Sequence, residues 1–84
     1  MKFNVYAVKD VKKGVYLQPF FVPFYVREDE VLLDFERNLK AADSLISKFP
    51  KDFYLCWIGE YYDETGALKP LEIKAMCVAA DLLK

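Results

Sequence analysis

The sequence predicts an α+β domain: a small antiparallel sheet of about four strands, in ββαββ order, with one main helix packed on one face. Two pairs of β-branched and aromatic runs are each joined by a short turn containing glycine, "KDVKKG" with Gly14 and "DETG" with Gly66, and glycine supplies the positive φ that hairpin loops need. Between the pairs the apolar spacing lengthens from two residues to three and four, the period of a helix. One helix of that length can shield one side of a small sheet.

Residues 2–8, "KFNVYAV", form the first strand, with Phe3, Val5 and Ala7 on one face. Residues 15–22, "VYLQPFFV", return as the second. Pro19 cannot donate a ladder hydrogen bond, which predicts an edge position or a bend, and Pro23 ends the strand. From 29 to 42, Val31, Leu32, Phe35, Leu39 and Ala42 share one helical face, while Glu30, Asp34, Arg37 and Lys40 lie elsewhere. The acidic opening "REDE" complements the positive end of the helix dipole, although no Ser or Thr caps it. "DSLISKFP" predicts a further helical turn, capped by Asp43 or Ser44 and stopped before Pro50. "DFYLCWIGEYY" is the third strand. Residues 67–74 return as the fourth, where Pro70 marks another edge, and "MCVAADLLK" fits either a last strand or a short helix.

The third strand poses the functional question. A strand covered on one side alternates apolar with polar residues. Here Phe53, Leu55, Trp57 and Tyr61 point one way, and Tyr54, Cys56, Ile58 and Tyr62 point the other. One helix covers one face, so the other needs a second cover. Three covers are open: the C-terminal tail, the sheet of a second copy, or the bases of a nucleic acid.

The totals support that reading. An 84-residue chain is one domain, residues 1–84, and a domain this small buries roughly 60–65% of its unfolded surface. With 55% hydrophobic and 17% aromatic residues, it carries more apolar surface than one small core encloses, which predicts a homodimer or a partner. Runs such as "FFVPFYV" fall far short of the roughly 20 residues that span a bilayer. "MKFN" lacks the apolar stretch of a secretory signal, so a soluble, cytosolic chain that touches no membrane is expected.

Chemistry is excluded more firmly. The chain has no His, and its two cysteines, Cys56 and Cys77, form no CxxC pair, which removes Cys/His zinc sites, His-based triads and a four-Cys site within one chain. There is no Gly-rich phosphate loop and no Ser-centred motif. Glu60, Asp63 and Glu64 cluster near "DETG" without the spacing of an EF-hand. The expectation is a non-enzymatic protein with no catalytic residue, no metal and no cofactor, in which Cys56 is a small buried hydrophobe.

The net charge is −1, yet residues 1–27 sum to +4 and residues 28–84 to −5. A polarised surface can hold a cationic patch despite an acidic total. Lys9, Lys12 and Lys13 in "KDVKKG", with Lys2 and Arg27, are the candidates for phosphate contact. Tyr6, Tyr16, Phe20, Tyr54 and Tyr62 are the candidates for the uncovered face, where flat rings stack bases at about 1–3 kcal/mol each. The same rings also suit cores and dimer interfaces. Val31, Phe35, Leu39, Phe53, Leu55 and Trp57 are assigned to the core under the helix; a one-residue slip in strand parity exchanges members of the two lists.

The run "FPKDFYLCWIGEYYDETGALKP", preceded by "QPFFVPF" and "FERNLKAADS", resembles the small nonstructural protein of Microviridae, in particular the gokushovirus type. The order of "VYAVKD", "PFF", a short helix and "DFYLCWIGEYYDETG" matches it over nearly the whole chain. The resemblance implies a protein made in the cytoplasm of the infected bacterium and absent from the virion. It further implies a single-stranded-DNA-binding protein that helps genome replication toward single-stranded product, with a phage replication protein as a further partner. The competing expectation is an interaction or scaffold module that dimerises or binds a replication or capsid protein without touching DNA. For three or four lysine contacts, the log of single-strand affinity is expected to fall with log salt at a slope of roughly −2 to −3.

Overall fold

The computed structural model describes residues 1–41 and 45–82. Strand β1 (Lys2–Asp10) is central and pairs antiparallel with β2 (Val15–Tyr16) and β3 (Phe20–Pro23) along one edge, and with β4 (Phe53–Tyr62) along the other. β5 (Ala67–Val78) pairs with the far side of β4, which leaves β5 at the end of the sheet. Helix α1 (Glu28–Ala41) connects the two hairpins, followed by the short α2 (Leu45–Lys48) and a 3-10 turn at Pro50–Asp52. A last helix, α3 (Ala79–Leu82), follows β5 directly. The α+β class with one main helix is therefore as the sequence predicts, with five strands.

The fifth strand comes from Pro19. The returning strand expected at 15–22 is split into β2 and β3, both paired to β1, with Leu17–Pro19 between them. Proline removes the ladder donor where the chain bends, and Pro23 closes β3. Both hairpin glycines do the work predicted, Gly14 at φ +69° and Gly66 at φ +75°. The first turn is tied by Asp10: its carbonyl accepts from the Gly14 N–H at 2.9 Å and its carboxylate from the Lys13 N–H at 3.1 Å. The ambiguous C-terminal segment divides, with Met76–Val78 completing β5 and Ala79–Leu82 helical. Ala42, Asp43 and Ser44, named for the helical face and the second cap, lie outside the described residues.

One face of the sheet holds the core. Val31, Phe35 and Leu39, four residues apart on α1, pack with Tyr6, Val8, Phe53, Leu55 and Ala79. Ile46 of α2 and Leu82 of α3 join the same cluster, so all three helices lie on this face. The C-terminal helix is thus not the second cover. Leu55 is fully buried, and burial of a leucine side chain is worth about 1.5–3 kcal/mol. The assignment of Val31, Phe35, Leu39, Phe53, Leu55 and Trp57 to the core holds, Trp57 being half-buried at its margin.

Strand parity is not uniform along β4. Tyr6 of β1 faces Trp57, but the next residue, Val5, faces Gly59. Ile58 is the extra residue of a β-bulge, and beyond a bulge every side chain changes face. The Trp57 indole N–H donates to the Gly59 carbonyl at 3.0 Å and braces the bend. Glycine is required at that point: a Cβ at 59 would stand 2.7 Å from the Lys69 backbone oxygen on β5.

Candidate nucleic-acid interface

The pairing register places four rows of side chains across the face opposite the helices. The first is Tyr16, Lys9, Tyr54 and Val78; the second is Ala7, Cys56 and Ala75. The third is Phe21, Val5, Gly59 and Pro70, and the fourth is Pro23, Phe3, Tyr61 and Leu68. Lys9 is the single charged residue in these rows. Small side chains fill the middle and large rings stand at both ends, so the face is a shallow trough. Val5, Ala7 and Cys56 on its floor are buried.

At one end of the trough a lysine stands between two tyrosines. The Lys9 Nζ lies 5.5 Å from the centre of the Tyr16 ring, a cation–π distance. Tyr54 flanks Lys9 from the other strand and is 37% exposed, Tyr16 40%. At the other end Phe21 meets Tyr61 edge-on at 5.3 Å and Phe3 meets Tyr61 at 6.0 Å. With Leu68 these rings line an apolar hollow of about 380 Å³.

The other predicted contacts are dispersed. Tyr6 is buried in the core beneath α1 at 4% exposure, because Phe3, Val5 and Ala7, not Tyr6, take the open face of β1. Phe20 stacks on Tyr6 at 5.8 Å and so also lies on the helix side. Tyr62 falls on the helix side too, since the bulge at Ile58 reverses the parity of everything after it; its hydroxyl donates to Glu60 at 3.2 Å. Tyr62 is moved by the bulge and Phe20 by the break between β2 and β3, whereas β1 alternates regularly and simply turns its Tyr6 face toward the helix. The same bulge brings Tyr61 to the open face, a residue assigned by simple alternation to the other side. Tyr61, Phe3 and Phe21 are the open-face rings missing from the candidate list. The signal for Tyr61 was Gly59, an isolated glycine inside a strand pattern, which marks a bulge.

Ion pairing sorts the cations in the same way. Lys2 lies 3.0 Å from Glu60, Lys12 3.6 Å from Asp52, and Arg27 3.2 Å from Asp29. Lys2 and Glu60 hold each other charged: their hydrogen bond raises the Lys2 ammonium and lowers the Glu60 carboxyl from their ordinary values. Lys12 further leans over the Phe49 ring at 5.9 Å, against the turn before β4. Among the described residues Lys9 and Lys13 form no ion pair. Desolvation raises the Cys56 and Cys77 thiols, which keeps both neutral at pH 7.

A larger groove of about 640 Å³ opens between β3 and α1, floored by Phe20, Val22, Val31 and Phe35. Glu30 and Asp34 stand on its rim with Arg37. Two carboxylates against one guanidinium make it a poor seat for a phosphate chain.

Comparison with known proteins comes to the same kind of source as the sequence resemblance, at a coarser level. The chain matches the family described as Phage ORF5 protein over residues 3–82, and it belongs to that family, as a bacteriophage protein. No curated protein and no solved structure matches it. Among the described residues no helix is long and apolar enough to cross a membrane.

Proposed function

We propose that this phage protein binds single-stranded DNA on its open sheet face and catalyses no reaction. The supporting observation is the row Tyr16–Lys9–Tyr54, two exposed rings on either side of a cation on a face that no described helix covers. Successive bases stack on the rings, and Lys9, with Lys13 at the adjoining turn, meets the backbone phosphates. Stacking uses the π-face that every base has, so binding is tolerant of sequence. In a phage of the Microviridae type, such a protein works in the cytoplasm of the infected cell, sheltering the single-stranded product of genome replication.

The ion pairs change the quantitative expectation. With Lys2, Lys12 and Arg27 engaged by carboxylates, Lys9 and Lys13 remain to neutralise two phosphates, for a salt slope of roughly −1.4. Titration of labelled single- and double-stranded oligonucleotides at several salt concentrations tests this. Preference for single strands with that slope supports the reading; binding that ignores salt, or is absent, overturns it.

A second reading is favoured by the charge-free hollow of Phe3, Phe21, Tyr61 and Leu68. There the face docks a replication or capsid protein and DNA plays no part. Unchanged sizing with and without oligonucleotide, together with the absence of a titration signal, would select it.

A further inference from the structure

We infer that two copies of the chain pair along β5, antiparallel and in one register, so that Lys69 of each copy faces Glu72 of the other. β5 is twelve residues long and forms the end of the sheet. Among the described residues nothing pairs with its outer edge, and a long open edge is a template for another strand. Charge and apolar matching select the second strand. In this register Lys69 and Glu72 meet twice, and Leu68 meets Ile73 twice, the two exposed large apolar side chains of β5 at 65% and 50%. Sliding the copies by two residues sets Lys69 against Lys74, which is repulsive.

The faces agree as well. Leu68 pairs with Tyr61 on the open face and Lys69 with Glu60 on the helix face. With the phase change of β5 placed between Pro70 and Leu71, inside the irregular stretch between Pro70 and Lys74, Glu72 falls on the helix face and Ile73 on the open face. An irregularity between Trp57 and Gly59 separates the two halves of β5, and it restores the parity that symmetric pairing needs. Pro70 removes one donor near the dyad, so the ladder is carried by both flanks. The charged residues, proline and bulge that blunt this edge against other strands thus permit this one.

Opposed residues in antiparallel pairing lie on the same side of the sheet. The dyad is therefore perpendicular to the sheet, the interface is isologous, and both troughs open on one side of a doubled sheet. The pairing is independent of nucleic-acid binding and is tested without it.

Light scattering on the eluting full chain reads the mass of wild type, Lys69→Glu, Glu72→Lys and an equimolar mixture of the two variants, with circular dichroism as a check on folding. Wild type as a dimer, each variant alone as a monomer, and a heterodimer on mixing is the expected result, because mixing restores both opposite-charge contacts. A monomeric wild type, or variants that stay dimeric alone, would overturn the pairing. Single-strand titration of the same samples scores the functional reading separately.

Discussion

Leu55 and Tyr54 are neighbours on β4, yet one is fully buried and the other is 37% exposed. Leu55 points into the cluster under α1 with Val8 and Phe53, whereas Tyr54 points into a trough with no helix above it. Both faces of the sheet are apolar, but their side chains differ in kind. The helix face is filled by branched aliphatics and rings interlocked with α1, and its polar end is closed by the Lys2–Glu60 pair. The open face has small residues in the middle, rings at its ends and a single lysine. An apolar face built to be covered within the fold places bulk at its centre. The open face leaves its centre low and puts flat groups at its ends, where the proposed ligand would reach them.

The contrast is broken most severely by Leu55→Ala, which creates a cavity under α1 and is expected to cost about 3 kcal/mol in chemical denaturation. That is a large part of the stability of a small domain. Gly59→Ala comes next. Its new methyl meets the Lys69 carbonyl and forces β4 and β5 apart, for a loss of about 1–3 kcal/mol. Tyr54→Ala sharpens the comparison. It is expected to change stability by less than about 1 kcal/mol while weakening single-strand binding by about 1–3 kcal/mol. Lys9→Gln should flatten the salt slope by about 0.7, whereas Lys12→Gln, its lysine held by Asp52, should leave the slope unchanged.

The smallest effect belongs to the polar end. Glu60 is held below the usual carboxylate range chiefly by its hydrogen bond to Lys2. A depressed folded-state pKa contributes stability above the unfolded value and loses it as pH falls through the folded one. In Lys2→Gln the Glu60 carboxyl is expected to titrate closer to its ordinary value, as followed by NMR, and the mild acid sensitivity that its depressed pKa confers should diminish with it.

Much of this was legible in the sequence because it depends on local periodicity. The spacing of Val31, Phe35 and Leu39 specifies the buried stripe of α1, Gly14 and Gly66 mark the two turns, and Pro19 announces the break between β2 and β3. The excess of apolar residues on β4 correctly signals a face the main helix does not cover. Which ring stands on that face was not legible from alternation alone. A single extra residue at Ile58 reverses everything beyond it, so Tyr61 and Tyr62 trade sides; β1 alternates regularly, and alternation alone does not tell which of its two apolar faces is the open one. Ion pairing was hidden for a different reason: Lys2 and Glu60, or Lys12 and Asp52, are distant in sequence and meet only through the register of β1 against β4. The +4 charge of the first 27 residues is consequently a smaller phosphate-binding resource than the count suggests.

The central claim is that the trough opposite the helices receives the nucleic acid. Amide chemical shifts recorded while a short single-stranded oligonucleotide is added test it most directly. Shifts centred on Lys9, Tyr16, Tyr54 and Cys56, with Val31, Phe35 and Leu39 unmoved, are the predicted result. Shifts confined to the groove between β3 and α1, or none at saturating oligonucleotide, would contradict it.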